Sequence, residues 1–449
     1  MANRAWARIG DSNSQLEGLQ PPWLQGLPCT VPDSLVTKAP MKTPSLYRSE
    51  KRLAAQDTRY AIPNGNNIIA FDVPNVKPID FRDGYLMFDL IVKATGGTYR
   101  RLAQGAWSFI NKVRITFGGM EDEIQYYNRL YSNLWNSQVP LDVQATIGTD
   151  LLGIGTKTTR NGWGASTTGT TYVVPFFHGL FRQGILPMHA LSTSTNGQLM
   201  RVEFTMENPL LCVETDGTNP SIELINLRWH YTEISSADGS FENSLTNMVR
   251  NGTYKIGYET WSCYQNPILT SSPDVSIQWK GSALNRIVSV FADGNTLTQT
   301  TVDDKFTTWV KNLSPTCQLI SYQLCLNEIW MPVEAVDCTG NAYRAYLQYL
   351  AANGYWHLDG RVDYPSPIEN DSFNIDQFMI TNNVSTVPKF KPTDDSEYFN
   401  PVTTSTTTSN TILRLQFTGP PPGQAIIYHF VSNNVLLCAT SSGAITKKY

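Results

Sequence analysis

At 449 residues the chain is longer than one hydrophobic core usually serves, which predicts two domains of roughly 200 residues each. Charged residues make up only 16% and aromatics 11%, a balance that favours strands and polar loops over charged helix surfaces. A net charge of −4 argues against a globule that coats itself with nucleic acid through a broad basic face.

Residues 1–55 hold Pro21, Pro22, Pro28, Pro32, Pro40 and Pro44 without a sustained hydrophobic period, the composition of an extended arm. The arm is expected to lie outside the packed domains, although Trp6, Trp23 and Leu24 give it groups that can dock. Its local excess of positive charge is modest: eight Lys and Arg against five acids in the first 60 residues. No charged, apolar and small-residue sequence of a secretory leader opens the chain, and no apolar run is long enough to span a bilayer, so synthesis in a reducing compartment is expected. The seven cysteines, Cys29, Cys212, Cys263, Cys317, Cys325, Cys338 and Cys438, are odd in number and include no CxxC pair; they read as buried thiols.

Strand patterns follow at 67–73, 85–93, 108–117, 171–177, 199–206 and 221–234, bounded by Gly, Asn, Asp and Pro. One helix interrupts them: Ile124, Tyr127, Tyr131 and Leu134 recur at helical spacing, with Glu121, Asp122 and Glu123 placed in its first turn. Residues 139–170, with Gly153, Gly155, Gly162, Gly164 and Gly169 among threonines, read as a long exposed loop. Ser235-Ser236-Ala237-Asp238-Gly239-Ser240 is a turn-rich break, and the pattern then restarts with strands at 253–264, 275–280, 286–291, 318–326, 373–380, 412–418 and 425–438. A second helix fills 342–352, with Tyr343, Tyr346, Leu347 and Leu350 on one face.

The restart carries a local repeat. Leu199-Met200-Arg201-Val202-Glu203-Phe204-Thr205 parallels Ile412-Leu413-Arg414-Leu415-Gln416-Phe417-Thr418, 213 positions later, and the two helices are separated by a similar interval. Two copies of one topology in series are expected.

A search for chemistry finds no usable grouping. His178, His189, His230, His357 and His429 form no HExxH and no zinc spacing with cysteine, and His178 reads as a strand-end or interface residue. No GxSxG elbow occurs, and 236–240 and Lys280-Gly281-Ser282 read as turns. Gly153-Ile154-Gly155-Thr156-Lys157-Thr158 lacks phosphate-loop spacing. The acid pairs Asp303-Asp304 and Asp394-Asp395 are adjacent, so on a strand their side chains would point to opposite faces. Sequons at Asn251, Asn312, Asn370 and Asn383 carry little weight without a secretory leader. Trp163 and Tyr355-Trp356 are candidate exposed rings, read as contacts between subunits ahead of a carbohydrate platform. Neither a catalytic, metal-binding nor cofactor-binding residue is assigned.

The ordered motifs Tyr85-Leu86-Met87-Phe88-Asp89-Leu90, Phe109-Ile110-Asn111-Lys112-Val113-Arg114-Ile115, Gly118-Gly119-Met120-Glu121-Asp122-Glu123-Ile124 and Tyr127-Asn128-Arg129-Leu130 resemble the first half of the double jelly-roll major capsid proteins of icosahedral DNA viruses, the tailless, hexon-like lineage. Leu186-Pro187 fits the same pattern. Ser321-Tyr322-Gln323-Leu324-Cys325-Leu326-Asn327, Pro332 and Ala342-Tyr343-Arg344 resemble the second half. The likeness spans about residues 56–449, and the first 55 match nothing in that family.

The resemblance implies an all-β chain of two consecutive eight-stranded jelly-roll sandwiches, each with a short helix insertion: arm 1–55, first jelly roll 56–240, second jelly roll 241–449. It further implies a homotrimeric, pseudo-hexagonal capsomer that tiles an icosahedral virion shell around the genome, with the 146–170 loops interlocking at its top. The chain would be made in the host cell cytosol. Its partners would be itself, neighbouring capsomers, and penton and minor capsid proteins, with no sequence-specific nucleic acid and no membrane embedding. A two-domain β-sandwich receptor- or glycan-binding protein is the alternative, and a β-sandwich hydrolase ranks third.

Overall fold

Alternation of apolar and polar side chains sets the strands. In Met200–Met206 the buried residues are Met200, Val202, Phe204 and Met206, with half-buried residues between them, the period of two that sends successive side chains to opposite faces of a sheet. The computed structural model describes residues 46–153, 169–182, 184–194, 199–279, 283–293, 309–355, 366–385, 402–403, 411–423, 425–439 and 445–448.

Eight principal strands build the N-terminal half: β1 (Leu46–Ala54), β2 (Ile68–Val73), β3 (Ile79–Thr95), β4 (Ile110–Phe117), β5 (Met120–Ile124), β6 (Thr170–Pro175), β7 (Met200–Met206) and β8 (Thr218–Ser236). Eight more build the C-terminal half: β9 (Lys255–Pro267), β10 (Asp274–Ser276), β11 (Ala283–Asp293), β12 (Leu319–Leu326), β13 (Ile329–Asp337), β14 (Ile380–Asn383), β15 (Thr411–Phe417) and β16 (Ala425–Ala439). The first half pairs them in the orders β1-β8-β3-β6 and β2-β7-β4-β5, and the second in the orders β9-β16-β11-β14 and β10-β15-β12-β13. Adding eight to every label of the first half gives the second. All these pairings are antiparallel, and the order is that of a jelly roll, two four-stranded sheets closed into a sandwich.

The sheets of each half meet through aromatic side chains. Phe71 of β2 stands edge-on to Trp229 of β8 at 5.7 Å, and Phe291 of β11 edge-on to Phe417 of β15 at 5.8 Å. Such pairs add about 0.5–1.5 kcal/mol each beyond the apolar area they bury. Helix α1 (Tyr127–Gln138) follows β5, helix α2 (Ser240–Arg250) lies between the halves, and helix α3 (Tyr343–Ala352) follows β13. The residues that open α1 and α3, Tyr126 and Ala342, share a left-handed backbone, at φ 50°, ψ 38° and φ 45°, ψ 38°.

The repeated heptapeptide falls on β7 and β15. Arg201 lies opposite Asp72 of β2, and Arg414, 213 positions on, lies opposite Asp274 of β10. Their ion pairs measure 3.8 and 2.8 Å. As exposed pairs they contribute about 0–1 kcal/mol at most, so the repeat is a mark of shared topology more than of stability.

Several sequence expectations are corrected. Residues 46–54 of the proposed arm form β1, paired along its whole length with β8; the prolines stop at Pro44, and nothing in Leu46–Ala54 removes a backbone donor. Residues 1–45 lie outside the described residues. Glu121, Asp122 and Glu123 belong to β5 and not to the first turn of α1, because Met120, Asp122 and Ile124 alternate as buried positions. The turn-rich break continues into α2, whose Glu242 closes back on Ser236 through its Oγ (2.6 Å) and backbone N–H (3.0 Å). Residues 373–380 are not one strand: Asn370–Ile375 is helical, and the strand is Ile380–Asn383. β13 had no sequence signal, since it contains Pro332; it is an edge strand, where proline is tolerated. On α3 the buried side chains are Ala345, Tyr349 and Ala352, whereas Tyr343 and Leu347 are exposed.

Candidate interaction surfaces

The residues weighed for chemistry are dispersed. His230 Nδ1 donates to the Glu50 carboxylate at 3.0 Å and its ring stacks on Tyr85; His189 donates to the Glu242 carbonyl at 3.1 Å; His429 is buried beside Ser289 Oγ at 2.8 Å. Among the described residues no three His, Cys, Asp or Glu side chains converge as metal ligands would. Tyr355 is buried and donates to the Ser137 carbonyl at 3.0 Å, so it is neither a carbohydrate platform nor a subunit contact. Trp163, Trp356, His357, residues 154–158, the acid pairs 303–304 and 394–395, and the turn 280–282 lie outside the described residues. Cys29 does too; the other six cysteines are buried thiols that form no disulfide among the described residues.

His178 marks the first informative surface, the junction between the halves. It follows β6 and is buried, with Nε2 3.6 Å from an oxygen of Asp122. Asp122, on β5, is 3% exposed and accepts hydrogen bonds from Tyr258 Oη and Thr260 Oγ1 of β9, both at 3.0 Å. A buried carboxylate is costly unless its oxygens are hydrogen-bonded, and here the donors come from the other half. Gly179 sits so close that a Cβ there would lie 1.9 Å from the Glu259 carbonyl oxygen of β9.

A second contact forms around α1. Arg129 is buried, 2.8 Å from Glu207, with its guanidinium over the rings of Tyr126 and Tyr428 at 5.4 and 5.3 Å. Tyr428 belongs to β16, so a desolvated cation of the first half is capped by an aromatic ring of the second. Tyr349 of α3 joins Tyr355 on the Ser137 carbonyl, at 3.3 Å. The apolar core runs through both halves without a break. Sequence reasoning missed Asp122 as a junction residue; the alternation of Met120, Asp122 and Ile124 was the available signal.

The outer edges form the other informative surface. At the junction, β9 packs against the outer edge strand β5. The equivalents of these two strands, β1 and β13, are also outer edges of their sheets, and neither pairs with a further described strand. β1 is exposed except at Leu53 and carries Leu46, Tyr47, Arg48, Lys51 and Arg52. β13 and the start of α3 expose Ile329, Val333, Tyr343 and Leu347, with Val333 89% exposed. Glu328, Glu334 and Asp337 are exposed along the same edge.

With the geometry in hand, comparison with solved structures finds the same architecture. The chain superposes on the Faustovirus major capsid protein with a TM-score of 0.56 at 10% identity, covering 92% of each chain. It superposes on a chain of the PBCV-1 virus capsid with a TM-score of 0.56 at 10% identity, over 90% of this chain and 97% of that one. A chain of the Sputnik virophage gives 0.50 at 12% identity, over 90% and 88%. No family model matches the sequence. No curated protein matches it either. The chain has the double jelly-roll fold of these viral major capsid proteins.

Proposed function

We propose that this chain is a major capsid protein whose homotrimer forms a pseudo-hexagonal capsomer of an icosahedral virion shell. One observation carries the reading: a single chain holds two sandwiches of the same strand order, already joined edge to edge by β5 and β9. Three such chains around a threefold axis supply six similar blocks, so one trimer fits a sixfold lattice position although its true symmetry is three. The likeness to viral capsid chains over nine-tenths of the sequence supports the same assignment.

On this reading the chain acts mechanically, without catalysis or cofactor, and residues 46–240 and 241–449 are its two building blocks. Its partners are further copies of itself in neighbouring capsomers, and penton and minor capsid proteins. The chain is made in the host cell cytosol and resides in the virion. The acidic net charge of −4 fits a wall that encloses nucleic acid without reading its sequence. Among the described residues no helix is long and apolar enough to cross a membrane. Light scattering of the purified protein is expected to give three times the 50.2 kDa chain mass; a monomer that persists on concentration would overturn the reading.

A further inference from the structure

We propose that the β13 edge of one chain docks head to tail on the β1 edge of a second copy, with Glu328 and Glu334 set against Lys51 and Arg52. This rests on the trimer reading and specifies the seam that closes it.

β5 and β13 occupy the same place in the two halves, as do β1 and β9. Within the chain, the first member of one pair meets the second member of the other: β5 is packed by β9. That contact uses up β5 and β9 and leaves their counterparts β13 and β1, each the terminal strand of its own sheet. A contact of the same kind between copies therefore joins β13 of one to β1 of the next. Such a heterologous contact propagates in one direction and closes only if the rotation between copies returns to the start.

The chemistry of the two edges agrees with this pairing. β1 carries Arg48, Lys51 and Arg52 against the single acid Glu50. Glu50 is engaged within the chain by His230 and Tyr85, and Arg48 by Asp83, so Lys51 and Arg52 are the exposed cations left over, one on each face of the strand. The β13 edge presents Glu328, Glu334 and Asp337 against one exposed cation, Arg344 of α3, which donates to the Ala335 carbonyl of β13 at 3.2 Å. Asp337 accepts from the Thr339 backbone and hydroxyl, which ties it to its own turn, so Glu328 and Glu334 are the acids left over. Charges alone also serve to keep edge strands from promiscuous pairing. Here the two edges differ in sign, and each adds exposed apolar groups, Leu46 and Tyr47 on one and Ile329, Val333, Tyr343 and Leu347 on the other. Opposite potentials around apolar contacts are the composition of a specific interface.

The test is a charge swap in the full-length chain. Glu328→Lys with Glu334→Lys, or Lys51→Glu with Arg52→Glu, should raise the protein concentration at half-dissociation of the trimer on the order of tenfold or more at low salt. Combining the two reversals in one chain should restore it. Trimers unaffected by either reversal would overturn the seam while leaving the trimer standing, whereas wild-type protein that stays monomeric would overturn the trimer reading itself. Hydrogen exchange of the wild type gives a readout independent of variant folding. Amides of 46–54 and 329–335 should exchange more slowly in the trimer than in dilute, dissociated protein; equal rates would contradict the seam.

Discussion

His429 shows how strongly the interior constrains single side chains. It is fully buried on β16, and desolvation pushes its imidazole down to about 3 from the ordinary 6.5. Between those values protons bind the unfolded chain and not the folded one. Stability from this group is therefore fully present above pH 6.5, declines by about 1.4 kcal/mol per pH unit below it, and stops declining near pH 3. Unfolding free energies from urea titrations between pH 6.5 and 5, above the range where Asp and Glu of the unfolded chain titrate, should fall with a slope that steepens toward this value. His429→Gln should flatten it; an unchanged slope in the variant would place the proton elsewhere. The sequence showed that no histidine sits at metal or catalytic spacing and that the cysteines read as buried thiols, because both depend on spacing and composition. It did not show Asp122 as a buried acceptor for Tyr258 and Thr260, since those partners lie 136 and 138 positions away.

At the scale of elements, strands with clean alternation were legible, and elements ruled by tertiary context were not. β7 and β15 alternate strictly and were found within a residue of their ends. β13 was hidden by Pro332, and α2 by the Ser and Asp that precede it, although Ser236 there donates twice to the Glu242 carboxylate across the turn. The left-handed Tyr126 and Ala342 that open α1 and α3 have no sequence signature, because φ above zero is unusual for both residue types and is held by the packing around them. The element most sensitive to a small change is the short helical turn Gly179–Arg182, which lies on β9. Gly179→Ala places a methyl group against the Glu259 carbonyl, and overpacking of this kind costs about 1–3 kcal/mol or more. Thermal melts should show a lowered Tm for this variant. Gly257→Ala, on β9 itself with open space at its Cβ position, should have much the smaller effect.

For the whole molecule, the duplication was legible from seven residues and two helices. It held because strand order, and not identity, is what the two halves share: Arg201 and Arg414 keep the same cross-strand acid while most other positions differ. The side-by-side arrangement of the halves was not legible, since it depends on which edges meet. On the proposed reading that arrangement lets a two-sandwich chain serve as part of a tile, and the most direct test is an image. Electron micrographs of the purified protein should show particles with a hexagonal outline and threefold symmetry; isolated two-lobed particles, or twofold dimers, would contradict the capsomer.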